Sequence, residues 1–100
     1  MTYDEAEKLF ISARNKVEGK PLCKNTRLIK VSGTNYYGIT LHGNLILIIC
    51  LDESHILSSC GWHTVTTKRR LNQYSKVRIY QKDFTWYLNN GTKFYDGIKV

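Results

Sequence analysis

The sequence predicts an α+β fold: an N-terminal helix, a mostly antiparallel, curved sheet of about seven short strands, and one short helix after the fourth strand. Three observations predict it. Ala6, Leu9, Phe10, Ala13 and Val17 recur at spacings of three and four, which places them on one helical face. From Asn25 onward the pattern becomes short apolar runs divided by Gly, Asn, Asp and Ser. A second helical pattern is confined to Lys68–Tyr74. With 100 residues, 42% of them hydrophobic, and no linker or repeat, residues 1–100 are expected to form a single domain.

Thr2-Tyr-Asp-Glu5 has the spacing of a capping box, so the first helix is expected to start there and to stop at Gly19 and Pro21. Acids in its first turn, with Lys16 and Lys20 near its end, complement the helix dipole. Strands are expected at 27–31, 36–41, 45–51 and 55–59, with turns at Gly33-Thr-Asn35, Gly43-Asn44 and Asp52-Glu-Ser54. The 45–51 run is apolar on both faces, which suits a central strand. The alternative is that one face meets a second copy of the chain, which makes a homo-oligomer through Leu45 to Leu51 a candidate assembly. Gly61 breaks the strand pattern, and Thr66 and Thr67 offer hydroxyl caps for the short helix. Strands at 77–81, 85–88 and 93–100 follow, the last two joined by Asn90-Gly91, the strongest hairpin signal in the chain.

The longest apolar run is far shorter than the ~18 residues a membrane span needs, and MTYDEAEK lacks a basic region followed by an apolar one. No membrane partner is therefore expected. Cys23, Cys50 and Cys60 are odd in number and lack C-x-x-C spacing, which excludes a full disulfide framework and points to a reducing, intracellular compartment.

Net charge is +7, unevenly placed. Residues 19–51 hold four bases and no acid, and residues 54–82 six bases and no acid, so a surface shared by these segments suits polyanions. The same charge also suits mere solubility. Within the second segment, Lys68, Arg69 and Arg70 fall in the first turn of the expected helix, where the dipole disfavours cations by about 0.3–1 kcal/mol each. A local rule broken without visible compensation marks a candidate site. The site residues expected on this ground are Thr66, Thr67, Lys68, Arg69, Arg70 and Asn72 for phosphates, with Trp62 as a stacking surface. The competing reading is that the three bases face solvent or meet Asp52, Glu53 or Asp83 across the fold. In Tyr36-Tyr37 and Trp86-Tyr87, one ring of each pair must face away from the other's side, leaving aromatics for nucleic-acid or protein contacts alike.

Signals for catalysis are thin. Cys60 and His63 form no pattern with a second half, whether as nucleophile and base or, with His42 or His55, as zinc ligands. Phosphate loops of the P-loop or Rossmann kind are absent. No enzymatic activity, cofactor or metal is expected.

Several pieces recur in one order: Tyr3 to Glu7, Asn25-Thr26, Leu41-His-Gly-Asn44, Gly61-Trp62 with Thr64, Thr66-Thr67-Lys68, Arg70-Leu-Asn72, Gln81, Trp86-Tyr87-Leu88 and Phe94-Tyr-Asp-Gly97. In this order the chain resembles a family of small phage- and prophage-encoded proteins. The resemblance implies action in the cytoplasm of a bacterial host, and implies no reaction, cofactor or site. The expectation is a small binding protein, non-enzymatic, that holds nucleic acid or another phosphate-bearing ligand. The alternative is an interaction protein that inhibits a host enzyme or antiviral defence complex.

Overall fold

Thr2 caps helix α1 as its sequence requires: its Oγ accepts from the Glu5 N–H at 3.2 Å, and the Glu5 carboxylate accepts from the Thr2 N–H at 3.0 Å. In this computed structural model, which describes residues 1–100, α1 spans Tyr3–Ile11 and buries Ala6 and Phe10. It ends earlier than the apolar spacing predicts. The Ser12 hydroxyl donates to Leu9 O, Lys16 Nζ reaches the Ile11 and Ala13 carbonyls, and Asn15 Oδ1 accepts from the N–H groups of Val17 and Glu18. These side chains satisfy the end of the helix and start a turn, which leaves Val17 in solvent instead of on a helical face.

That turn closes at Gly19, whose φ of +85° and close approach to Leu28 leave no room for a side chain: a Cβ would lie 2.2 Å from Leu28 O. The chain then forms a strand that the sequence reading does not anticipate, β1 (Lys20–Cys23). Pro21 reads as a stop signal, but β1 is an edge strand, where a missing ladder donor is tolerated. β2 (Thr26–Lys30), β3 (Tyr37–Leu41), β4 (Asn44–Ile49) and β5 (His55–Leu57) follow as an antiparallel meander. The two-residue turn between β3 and β4 is His42-Gly43, at φ +52° and +81°, one residue earlier than Gly43-Asn44. β4 lies inside a six-stranded sheet, in which β1 to β5 run in order and the short last strand of the chain follows β5, and it buries Ile46, Leu47 and Ile49.

Helix α2 (Val65–Tyr74) begins three residues before the sequence places it. Its cap is Thr64, whose Oγ1 accepts from the Thr67 N–H at 3.1 Å, so Thr66 and Thr67 are first-turn residues and not caps. β6 (Ile79–Lys82) and β7 (Thr85–Leu88) form a separate two-stranded sheet. Asn90-Gly91 does reverse the chain after β7, bringing Lys93 opposite Tyr87. The expected long last strand is broken, because Gly97 at φ +90° redirects the chain. Only Ile98–Lys99 (β8) pairs, and it does so beside β5. One apolar cluster joins Phe10 of α1, Leu28, Ile39 and Leu47 of the large sheet, Leu71 of α2, and Ile79 and Trp86 of the small sheet. Both sheets and α2 therefore share one core, and α2 is held between them. No helix is long and apolar enough to cross a membrane.

Candidate functional site

Between Thr40 and Ile39 the ladder of β3 slips by one residue on β4, so that Leu45 and Ile46 together oppose one step of β3. This bulge turns Ile46 into the floor of a cleft, a use to which bulges beside sites are commonly put. Its two freed carbonyls are taken: Ser58 N–H donates to Ile46 O at 2.8 Å, and the Cys60 thiol donates to Leu45 O at 3.0 Å. Cys60 is thereby committed to closing the bulge.

The segment that covers the bulge then turns sharply. Cys60 and Gly61 both have positive φ, +53° and +80°, and the Trp62 N–H donates to Ser59 O at 2.9 Å. Asp96 anchors this turn from the far end of the chain, accepting from Ser59 N–H at 2.7 Å and Ser59 Oγ at 2.8 Å. Burial alone would push the Asp96 carboxyl up. The Ser59 bonds and the Gly61 N–H outweigh it and hold the group below its ordinary value. Gly61-Trp62 is thus a pinned turn that presents an indole to solvent, 61% exposed.

Trp62 forms one wall of a cleft of about 420 Å³, the size range of small-ligand sites. Thr64 and Thr66 line it as well, as do His42 and Asn44 at the β3–β4 reversal, with Leu41, Ile46, Ser59 and Thr67. The side chains of His42 and Asn44 make no hydrogen bond within the protein, so their polar atoms are free for a ligand. Two segments whose distinctive residues are Leu41-His-Gly-Asn44 and Gly61-Trp-His-Thr64 therefore meet across one opening.

A second, more open groove of about 470 Å³ lies on the outer side of α2, lined by Val65, Lys68, Arg69, Asn72, Gln73 and Arg78. None of these is acidic. The protein's two ion pairs, Lys8 with Asp4 and Lys99 with Asp52, involve none of the groove's cations. The reading in which the basic run meets Asp52, Glu53 or Asp83 is therefore not what the fold does.

The expected site residues separate into two groups. Trp62, Thr66, Lys68 and Arg69 reach the cleft or the groove. Thr67 also borders the cleft, but it is 2% exposed and its hydroxyl is shared with Thr64 Oγ1 at 2.9 Å, so it is part of the cap. Arg70 turns to the opposite side, where Nε donates to Thr26 Oγ1 at 3.0 Å and ties α2 to β2. Asn72 borders the groove but is occupied: Oδ1 accepts from Ile79 N–H at 2.6 Å and Nδ2 donates to Ile79 O at 3.0 Å. Because α2 starts at Val65, Lys68 and Arg69 lie past its first turn, where the dipole is weak. The cations do not violate local stability in the way their predicted placement implies. They are instead unpaired, and they gather with Arg78 along one groove.

His42, Asn44 and Arg78 escape the sequence reading. His42 belongs to a positive-φ turn and Asn44 opens the strand after it, and nothing local in the sequence shows that they line a cleft. Arg78 follows α2 by only a short loop, and it reaches the groove because Asn72 fixes the start of β6. His63 packs edge-on to Trp86 at 4.6 Å between centroids, and His55 is buried with Nδ1 accepting from the Lys76 N–H at 3.2 Å. No three His, Cys, Asp or Glu side chains gather as a metal-binding group.

The family model described as Kyanoviridae Gp96 protein matches residues 7–100. No curated protein and no solved structure matches the chain.

Proposed function

The chain belongs to the Kyanoviridae Gp96 family, a family of phage proteins, and on that premise we propose that it binds single-stranded nucleic acid in the host cytoplasm without catalysing a reaction on it. The observation that carries the reading is the adjacency, on one helix, of a cleft walled by an exposed indole and a groove whose three cations have no acidic partner. Phosphates supply charge for Lys68, Arg69 and Arg78, and an unstacked base supplies a π-face for Trp62. A duplex keeps its bases stacked and offers none to the indole, which favours single strands. His42, Asn44 and Thr66 supply donors and acceptors along the cleft for the edge of a stacked base.

The test is a titration of labelled single- and double-stranded oligonucleotides with the native protein and a Trp62→Ala variant. Stacking is worth about 1–3 kcal/mol per base, so the variant is expected to bind single strands about 5- to 150-fold more weakly at unchanged thermal stability. Equal affinity in the variant, or tighter binding of the duplex, refutes the reading.

One feature favours the alternative of a protein inhibitor. Phe84 stands at the β6–β7 turn 98% exposed, at φ +63°, a conformation costly for a bulky residue. Such a ring fits a pocket on a host protein. Loss of host-protein capture in a Phe84→Gly variant that still binds oligonucleotide would identify that use.

A further inference from the structure

β6 and β7 pair Tyr80 with Tyr87, Gln81 with Trp86 and Lys82 with Thr85. Side chains alternate across a strand, so Ile79, Trp86 and Leu88 enter the core while Tyr80, Lys82, Thr85 and Tyr87 share the outer face. Lys93, bridged opposite Tyr87, extends that face, and Arg78, two residues before Tyr80, leads into it from the α2 groove. The two tyrosine rings stack on one another, with centroids 5.7 Å apart and planes 24° from parallel. Tyr80 is 44% exposed and Tyr87 half-buried, so the pair shows ring surface to solvent. Arg78, Lys82 and Lys93 have no ion-pair partner: Asp83, next to Lys82, belongs to the turn at the hairpin tip, and Asp96, three residues after Lys93, is bound to Ser59.

A stacked tyrosine pair among unpaired cations, continuous through Arg78 with a basic groove, is more than a cross-strand contact requires. We propose that the outer face of the β6–β7 hairpin is a second stacking platform, on which a single strand leaving the α2 groove lays further bases against Tyr80 and Tyr87 while Lys82 and Lys93 hold its phosphates. This inference rests on the single-strand reading and extends its footprint from one base to several nucleotides. Charge complementarity selects the occupant: an apolar protein partner would leave Arg78, Lys82 and Lys93 desolvated and unpaired, whereas a phosphate backbone meets all three.

The experiment compares oligothymidylates of about 4 and about 12 nucleotides, within the range that small single-strand-binding domains cover, on the native protein and on two double variants. Tyr80→Thr with Tyr87→Thr removes the rings and keeps β-propensity. Tyr80→Phe with Tyr87→Phe keeps the rings. The native protein is expected to bind the longer probe at least tenfold more tightly. The Thr pair is expected to lose that advantage while holding the short probe normally, and the Phe pair to retain it. If the Thr pair fails to fold, Lys82→Gln with Lys93→Gln is expected to reduce the advantage in the same direction. A length advantage that is absent in the native protein, or that survives loss of the rings or of the two lysines in folded variants, overturns the platform. Short-probe binding unaffected by Trp62→Ala overturns the cleft reading and leaves the platform standing. Failure of the native protein to bind either probe overturns both.

Discussion

Replacing Asn72 with alanine should unfasten the small sheet from α2. The Asn72 amide acts toward Ile79 as a neighbouring strand would, accepting its N–H at 2.6 Å and donating to its carbonyl at 3.0 Å, and Ile79 is only 3% exposed. The two bonds are worth about 0.5–1.5 kcal/mol each where the freed backbone groups can turn to water, and about 1–3 kcal/mol each where those groups stay unpaired out of water. A net loss of about 2–4 kcal/mol follows, a large fraction of the ~5–15 kcal/mol that holds a typical domain folded. At roughly 4–8 °C per kcal/mol for a domain of this size, the melting temperature should fall by at least about 8 °C. Thermal and urea denaturation followed by circular dichroism measure it, and amide exchange should locate the lost protection in β6 and β7. A loss under ~1 kcal/mol, with nucleic-acid affinity reduced instead, would refute the clamp and return Asn72 to the ligand.

Two further outcomes follow from local features. Phe84→Gly relieves a left-handed residue of about 1–2 kcal/mol of steric cost and sacrifices no packing, so after glycine's own entropic cost the hairpin should gain up to ~1 kcal/mol, measured as a raised denaturation midpoint. His55 is held below its ordinary value of 6.5, first by burial and then by nearby positive charge that includes Lys76. A depressed histidine keeps its full contribution above 6.5 and loses it as pH falls below that value, because the unfolded chain takes up the proton first. Stability should therefore decline as pH falls below 6.5, and His55→Asn, which can still accept from the Lys76 N–H, should flatten the decline.

Much of the fold is legible in the sequence because its signals are local. The Thr2 to Glu5 capping box, the meander from Thr26 to Leu57 and the Asn90-Gly91 reversal each rest on neighbours a few residues apart. The errors have local causes too: Asn15 and Lys16 end α1 through side-chain bonds that apolar spacing does not register, and Thr64 outcompetes Thr66 and Thr67 as cap by bonding the Thr67 N–H. The family resemblance reaches the phage origin of the chain. The proposed site was legible only in part. Trp62, Lys68 and Arg69 announce themselves by type, but the bulge at Leu45-Ile46, the Asp96 anchor and the arrival of Arg78 depend on contacts distant in sequence. Arg70 and Asn72 show the converse: residues with a recognition-like chemistry that the fold spends on its own scaffolding.

The most direct measurement of the central claim is the salt dependence of single-strand binding by the native protein and by a variant carrying Lys68→Gln, Arg69→Gln and Arg78→Gln. None of these three side chains makes an ion pair or a hydrogen bond within the protein, so the variant should fold normally. Each phosphate neutralised on a single strand contributes about −0.7 to the slope of log K against log salt, so removing three cations should make the slope shallower by about 2. A slope that the variant leaves unchanged, or a native protein that binds no single strand at low salt, would contradict the account.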